Sequence, residues 1–202
     1  MKILNSVLLL ILSVTLTSFV NPGYEVGDYA NDFKLKNIDG NMVSLADYPN
    51  AKGFIVIFTC NHCPYAKLYE DRIVALDKSF KKKGYPVIAI NPNDPEKYPE
   101  DSFDNMKERA NEKGFTFPYL FDETQEVAKA FGAVRTPHVF LLHKKDVNEY
   151  KVSYIGAIDD DTQDSKKTKV KYVENAVDAL EKGENPDPEF TKAIGCTIKW
   201  KS

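Results

Sequence analysis

Two hydrophobic periods alternate along this chain, and that alternation restricts its fold more than any other feature. Lys52–Thr59 (KGFIVIFT) and Pro86–Asn91 (PVIAIN) are short runs of β-branched and aromatic residues, as strands covered on both faces should be. Phe117–Asp122 (FPYLFD) is a shorter run of the same kind. Between them the period shifts to three and four. Leu68, Tyr69, Ile73, Leu76 and Phe80 predict a helix that starts near Tyr65 and ends at Gly84, with Lys81–Lys83 suiting the negative end of its dipole. Phe103, Met106 and Ala110 predict a second helix that stops at Gly114. Asp122 and Gln125 stand at capping-box spacing before a third, which buries Val127, Ala128 and Phe131 and stops at Gly132. HVFLLHK and EYKVSYIGAI, joined by a short polar turn, predict an antiparallel strand pair, and Tyr172, Val173, Ala176, Val177 and Leu180 a last helix. Upstream, Phe33–Lys36 and MVSL flank the turn NIDGN as a hairpin. Strands alternating with helices require a parallel core covered on both faces. The expectation is an α/β three-layer sandwich with an N-terminal β-hairpin extension. PNDPEKYPEDS and DDDTQDSKKTK read as loops, and the tail after Gly183 shows little regular pattern.

The 202 residues suit one domain, 21–202, large enough to bury a core without disulfide staples. A formal charge of −3 and the lack of any basic block argue against a nucleic-acid partner. Residues 1–20 have one cation at Lys2, an apolar middle and the small residues Thr17 and Ser18 near their end, the layout of a secretory signal peptide. Asn5, Ser6, Ser13, Thr15 and Thr17 interrupt the apolar run, so no stable membrane insertion is expected after cleavage. The expected location is periplasmic or otherwise extracytoplasmic, where thiols can stay oxidised.

Two of the three cysteines form Cys60-Asn61-His62-Cys63 at a strand exit, just before Pro64 opens a helix. C-x-x-C beside a β-α-β pattern points to thiol–disulfide chemistry, because the first turn of a helix brings the two sulfurs within bonding reach. The free N–H groups of the helix start favour a thiolate. On this reading Cys60 is the attacking sulfur and Cys63 resolves the mixed disulfide, while Asn61 and His62 tune the couple; a protonated His62 would make it more oxidising. Zinc is the competing chemistry. Cys60, His62, Cys63 and Cys196, or a histidine at 138 or 143, nominally supply four ligands, but His62 crowds the cysteines and a second knuckle is missing. No metal and no organic cofactor is expected. A permanent Cys60–Cys63 disulfide in a redox-inactive binding module is the remaining option, although so small a loop stabilises little.

Thr136-Pro137 lies between a helix end and a strand start, where a cis bond would turn the chain. With Cys60-Asn61-His62-Cys63-Pro64 it resembles a thioredoxin fold, whose cis-proline loop faces the C-x-x-C. The resemblance implies that Thr136 pairs with a bound substrate chain and that Pro137 with it presents that chain to the cysteines. VGDYANDFKLKNIDGNMVSL, CNHCPYAKLYEDR, NDPEKYPEDSFDNM, FPYLFDETQEVAKAFGAVRTPHVFLL and GCTIKW together resemble a secreted, C-x-x-C-containing subfamily of the peroxiredoxin-like group (alkyl hydroperoxide reductase/thiol-specific antioxidant). A peroxiredoxin carries Pro-x-x-x-Thr/Ser-x-x-Cys. With Cys63 as the peroxidatic cysteine, Cys60 stands at the threonine position and Val56 at the proline position, both against a peroxide pocket. Arg135 is a candidate for the arginine of that pocket, or a surface residue. Cys196 is either an auxiliary thiol near the pair or a small apolar residue packed beside Trp200, the latter favoured. Tyr65 is a candidate either for the groove rim or for a core position on the helix face, and Glu70 and Asp71 read as solvated. The chain is thus expected to be an exported thiol–disulfide oxidoreductase acting on protein thiols and recycled by a redox partner that the sequence does not name. A thiol peroxidase is the alternative.

Overall fold

The computed structural model describes residues 23–202; the expected signal peptide, 1–20, lies outside the described residues. In chain order the elements are β1 (Tyr29–Ala30), β2 (Lys34–Asn37), β3 (Met42–Ser44), β4 (Gly53–Phe58), α1 (Pro64–Phe80), β5 (Val87–Asn91), α2 (Phe103–Lys113), β6 (Tyr119–Phe121), α3 (Glu126–Phe131), β7 (Arg135–Thr136), β8 (His138–Asp146), β9 (Glu149–Gly156), α4 (Tyr172–Glu181) and β10 (Cys196–Thr197). Eight strands form one sheet in the order β1-β9-β8-β4-β5-β6-β2-β3. β4, β5 and β6 are parallel, as the alternation requires, β8 adds antiparallel to β4, and β9 adds antiparallel to β8. The expected hairpin is β2–β3, which extends the β6 edge, and β1 covers the opposite edge at β9. This is a thioredoxin-like α/β sandwich.

Strand alternation divides the core. Ile55 and Ile57 of β4 join Val87, Ala89, Val139 and Leu141 under α1, α2 and α4. Phe54, Val56 and Phe58 point the other way, with Ile88, Ile90, Phe140 and Leu142, against α3 and the N-terminal segment. Every residue of β4 is buried. Each large apolar side chain taken from water contributes about 1.5–3 kcal/mol, so this central strand is fixed from both faces. Because β4 is held so firmly, the chain that leaves its end starts from a defined point.

One local expectation fails. Asp122 and Gln125 form no capping box: Gln125 is itself the N-cap of α3, and the Asp122 carboxylate accepts the Ala128 N–H at 2.8 Å. The Gln125 side-chain amide instead donates to Pro92 O at 2.6 Å and Lys199 O at 2.8 Å, tying the β5 loop to the tail. The tail shows little regular structure, as its sequence suggests; its one strand is the two-residue β10, which pairs antiparallel with β7.

Candidate active site

β4 ends at Phe58, and Thr59 still donates to Ile90 O at 2.8 Å. The chain then leaves the sheet through Cys60, Asn61 and His62. Helix α1 begins at Pro64, so Cys63 is its N-cap, with extended backbone (φ −66°, ψ 123°). Pro64 lacks the N–H that would go unpaired at this position. The N–H groups of this turn serve both sulfurs, that of Ala66 pointing at Cys63 and that of Cys63 at Cys60. A hydrogen bond from the Cys60 thiol, helped by the Cys196 thiol and the Ala66 and Cys196 N–H groups, holds Cys63 down at about 4 against its burial. Cys60 moves the opposite way: burial, its bond to Cys63 and the negative Asp101 push it well above the ordinary thiol range. None of the three cysteines is in a disulfide, and the two buried sulfurs are pushed in opposite directions, Cys63 down and Cys60 up.

The two spacer residues are held by a carboxylate that the sequence reading treated as part of a loop. Asp101 is fully buried. Its Oδ1 accepts the Asn61 N–H at 2.6 Å and the His62 N–H at 3.2 Å; its Oδ2 accepts Asn93 Nδ2 at 2.8 Å and pairs with His62 Nδ1. The His62 ring stacks on Tyr98, centroids 4.4 Å apart. Asn61 is buried, donating to Glu100 O at 2.8 Å and accepting from Tyr119 OH at 2.9 Å. Asn61 and His62 thus lock the motif onto the loop before α2, and neither is a free spacer. A charge at buried distance from Cys60 with four donors to satisfy has a clear physical role, yet nothing in PNDPEKYPEDS separates Asp101 from its acidic neighbours.

Thr136 reaches both sulfurs: its Oγ1 lies 3.1 Å from Cys60 Sγ, and its carbonyl accepts from Cys63 Sγ at 3.3 Å. The Thr136–Pro137 peptide is cis. Thr136, which the resemblance pairs with a substrate chain, is paired within the chain, Cys196 opposite Thr136 and Thr197 opposite Arg135. Gly195 makes this approach possible. A Cβ there would lie 2.1 Å from Thr136 O and 2.6 Å from its carbonyl carbon, so only glycine fits. Cys196 packs with Cys60, Cys63 and Ala66, whereas Trp200 lies outward, with Lys129 over its ring. The favoured packing of Cys196 beside Trp200 is therefore corrected. One signal was available: in Cys196-Thr-Ile-Lys-Trp200, apolar and polar residues alternate with the period of a strand.

The other candidates separate. His143 pairs with Gly53 at the far end of β4, and His138 is buried on Phe140, where desolvation and Arg135 push it down to about 4. The four-ligand zinc set does not assemble. The cluster that does converge is Cys60, His62 and Asp101, with both Asp101 oxygens already engaged as described. Val56 is a core residue of β4. Arg135 Nη1 donates to Gly195 O at 3.0 Å, so it holds the tail. Tyr65 lines a groove of about 320 Å³ with Arg135, Lys192 and Ile194. Glu70 is not solvated as expected: it is buried and paired in two-pronged fashion with Arg109, both contacts 2.7 Å. Asp71 is exposed.

A sequence profile of the AhpC/TSA family matches residues 26–155. The thiol-disulfide oxidoreductase ResA of Geobacillus thermodenitrificans is 29% identical over 122 residues, 59% of this chain and 64% of ResA. A Mycobacterium tuberculosis protein assigned to the peroxiredoxins is 32% identical over 111 residues, 53% of this chain and 63% of that protein. The matches therefore span just under two thirds of these curated relatives. The crystal structure of an uncharacterized conserved protein from Geobacillus kaustophilus is 43% identical, covers 88% of this chain and 93% of its own, and superposes with a TM-score of 0.78.

Proposed function

The chain belongs to the AhpC/TSA family, and from that premise we propose that it is an exported thiol–disulfide oxidoreductase whose redox couple is Cys60 and Cys63. The observation that carries this reading is the buried pair itself: two sulfurs gathered at the start of α1 against Thr136, with opposed proton affinities. In the reaction the two thiols become one disulfide while a disulfide in a protein substrate becomes two thiols; two electrons and two protons move, and the reverse is equally allowed. Asn61 and His62 act on the potential through Asp101. Thr136 positions both sulfurs beside Pro137. A separate redox partner restores the starting state. Export is supported by the leader-like composition of residues 1–20, and no helix among the described residues is long and apolar enough to cross a membrane. The finding of a processed N-terminus in the extracytoplasmic fraction tests that part.

The deciding experiment equilibrates the protein with glutathione buffers and maps disulfides at each ratio. A two-electron transition that forms a Cys60–Cys63 bond is expected, and its potential sets the direction: near thioredoxin's, a reductase; near the periplasmic oxidant's, an oxidase. Failure to form that bond at any ratio refutes the reading and leaves a redox-inactive module. A thiol peroxidase is the second reading, favoured by one feature, the place of Cys63 at the N-cap of α1 directly before Pro64, with its proton affinity pushed down. Rapid hydrogen peroxide consumption that is lost in Cys63→Ser and kept in Cys60→Ser would establish it.

A further inference from the structure

We propose that Cys196 is the sulfur through which this chain exchanges with outside thiols, with Cys63 linking it to the buried Cys60. The inference rests on reading Cys60 and Cys63 as a redox couple. Cys60 is 2% exposed and Cys63 0% exposed, whereas Cys196, in contact with the same cluster, is half-buried. What shields the pair is the segment that carries Cys196. Upstream it is fastened where Thr191 N–H donates to Ile155 O at 3.0 Å and Ala157 N–H donates to Thr191 Oγ1 at 3.0 Å. Downstream, Lys199 N–H donates to Asn93 Oδ1 at 2.9 Å, Asp94 N–H donates to Lys199 O at 3.0 Å, and Ile198 is buried. Between these points β10 crosses the site at the register Cys196–Thr136, with Gly195 against the Thr136 carbonyl. An outside thiol thus meets Cys196 before the other two.

The chemistry closes in three exchanges. In the first, Cys196 sulfur bonds Cys63, the Cys60–Cys63 bond breaks, and the Cys196 proton passes to Cys60; no electron leaves the chain. In the second, a thiolate of an external dithiol bonds Cys196 and the Cys63–Cys196 bond breaks, releasing Cys63 as a thiolate. In the third, the second thiol of the dithiol bonds its own first sulfur, the bond between that sulfur and Cys196 breaks, and Cys196 takes the proton. The dithiol is oxidised to a disulfide and the chain is reduced by two electrons. The low proton affinity of Cys63 makes it a good leaving group in the second exchange, and the high affinity of Cys60 makes it a sink for the proton in the first.

The test uses the full chain, oxidised glutathione as oxidant and dithiothreitol as the external dithiol. The Cys60→Ser variant should form an intramolecular Cys63–Cys196 disulfide, found by peptide mapping without reduction. Oxidised Cys196→Ser should retain the Cys60–Cys63 bond but be reduced by dithiothreitol at least about ten-fold more slowly than the unmodified protein. Only glutathione adducts in Cys60→Ser, or an undiminished reduction rate in Cys196→Ser, would overturn the proposal while leaving the Cys60–Cys63 couple intact. Absence of a Cys60–Cys63 bond in the unmodified protein would instead sink the functional reading beneath it. If Cys196→Ser does not fold, the mapping of Cys60→Ser decides alone.

Discussion

Gly195→Ala places a methyl group where no space exists. Its Cβ would sit 2.1 Å from Thr136 O, 2.6 Å from Thr136 C and 3.1 Å from Pro137 N, and all three neighbours are backbone. No side-chain rotation relieves such an overlap, so β10 must rise by roughly 1 Å or more to restore a normal contact. That movement removes the Arg135 Nη1 to Gly195 O bond at 3.0 Å, the Ile198 N–H to Val134 O bond at 3.2 Å and the pairing of Cys196 with Thr136. At about 1 kcal/mol net for each bond, two or three of them make ~2–3 kcal/mol of closure. The closed segment then opens in about one molecule in 30 to 150, and alkylation of Cys63 is limited by that fraction. Gly195→Ala should raise the rate of iodoacetamide labelling at Cys63 by about 30- to 150-fold, because closure no longer limits access. Labelling of reduced protein, quenched at intervals and assigned by mass, measures it. The anchors at Thr191 and Lys199 are untouched, so the fold should remain, with a loss of roughly 2–3 kcal/mol by urea unfolding. An unchanged labelling rate with unchanged stability would refute the argument, for it would mean that the segment does not press on Thr136 or does not shield Cys63.

Four other outcomes follow from the same structure. Asp101→Ala leaves the Asn61 and His62 N–H groups and Asn93 Nδ2 without their acceptor, and should cost about 3–5 kcal/mol in urea unfolding; a loss under about 1 kcal/mol would show that the network is not what holds the motif. Arg109→Ala strands the buried Glu70 with only Lys113 at 4.0 Å, so it should destabilise by about 2–4 kcal/mol, and adding Glu70→Gln should return part of that loss, read as a double-mutant cycle. His138 is 6% exposed and its proton affinity is depressed from 6.5 to about 4, so the unfolded chain takes up a proton first; stability is complete above about pH 6.5 and falls as pH drops toward 4, and in His138→Asn this part of the acid-side slope, of order 3 kcal/mol, should disappear from urea midpoints measured across that range. Labelling of reduced protein at Cys63 should persist well below neutral pH, with its midpoint near 4; a midpoint near the ordinary thiol value would remove the thiolate from Cys63.

The sequence by itself determined the architecture, because its evidence is local. The alternation of GFIVIF, a three-to-four period and VIAIN fixes strand, helix and strand, and a parallel core with helices on both faces is the packing that buries all of them. The C-x-x-C placement at a strand exit and the Thr-Pro before β8 were likewise readable, since each depends on residues next to one another. What the sequence could not decide was how burial and neighbours push the two sulfurs apart in proton affinity, because that depends on Asp101, Thr136 and Cys196 as well as on the helix start at Pro64. Nor could it pair Asp101 with the motif, or bring Cys196 over Thr136. Those contacts join residues about 40 to 140 positions apart in the chain, and only the packing of the sheet, the loop before α2 and the tail brings them together. Glu70 shows the same limit: one acidic residue on an amphipathic helix looks like another until Arg109 on α2 meets it. Local period specifies elements, while proton affinities and access depend on which distant groups close over them.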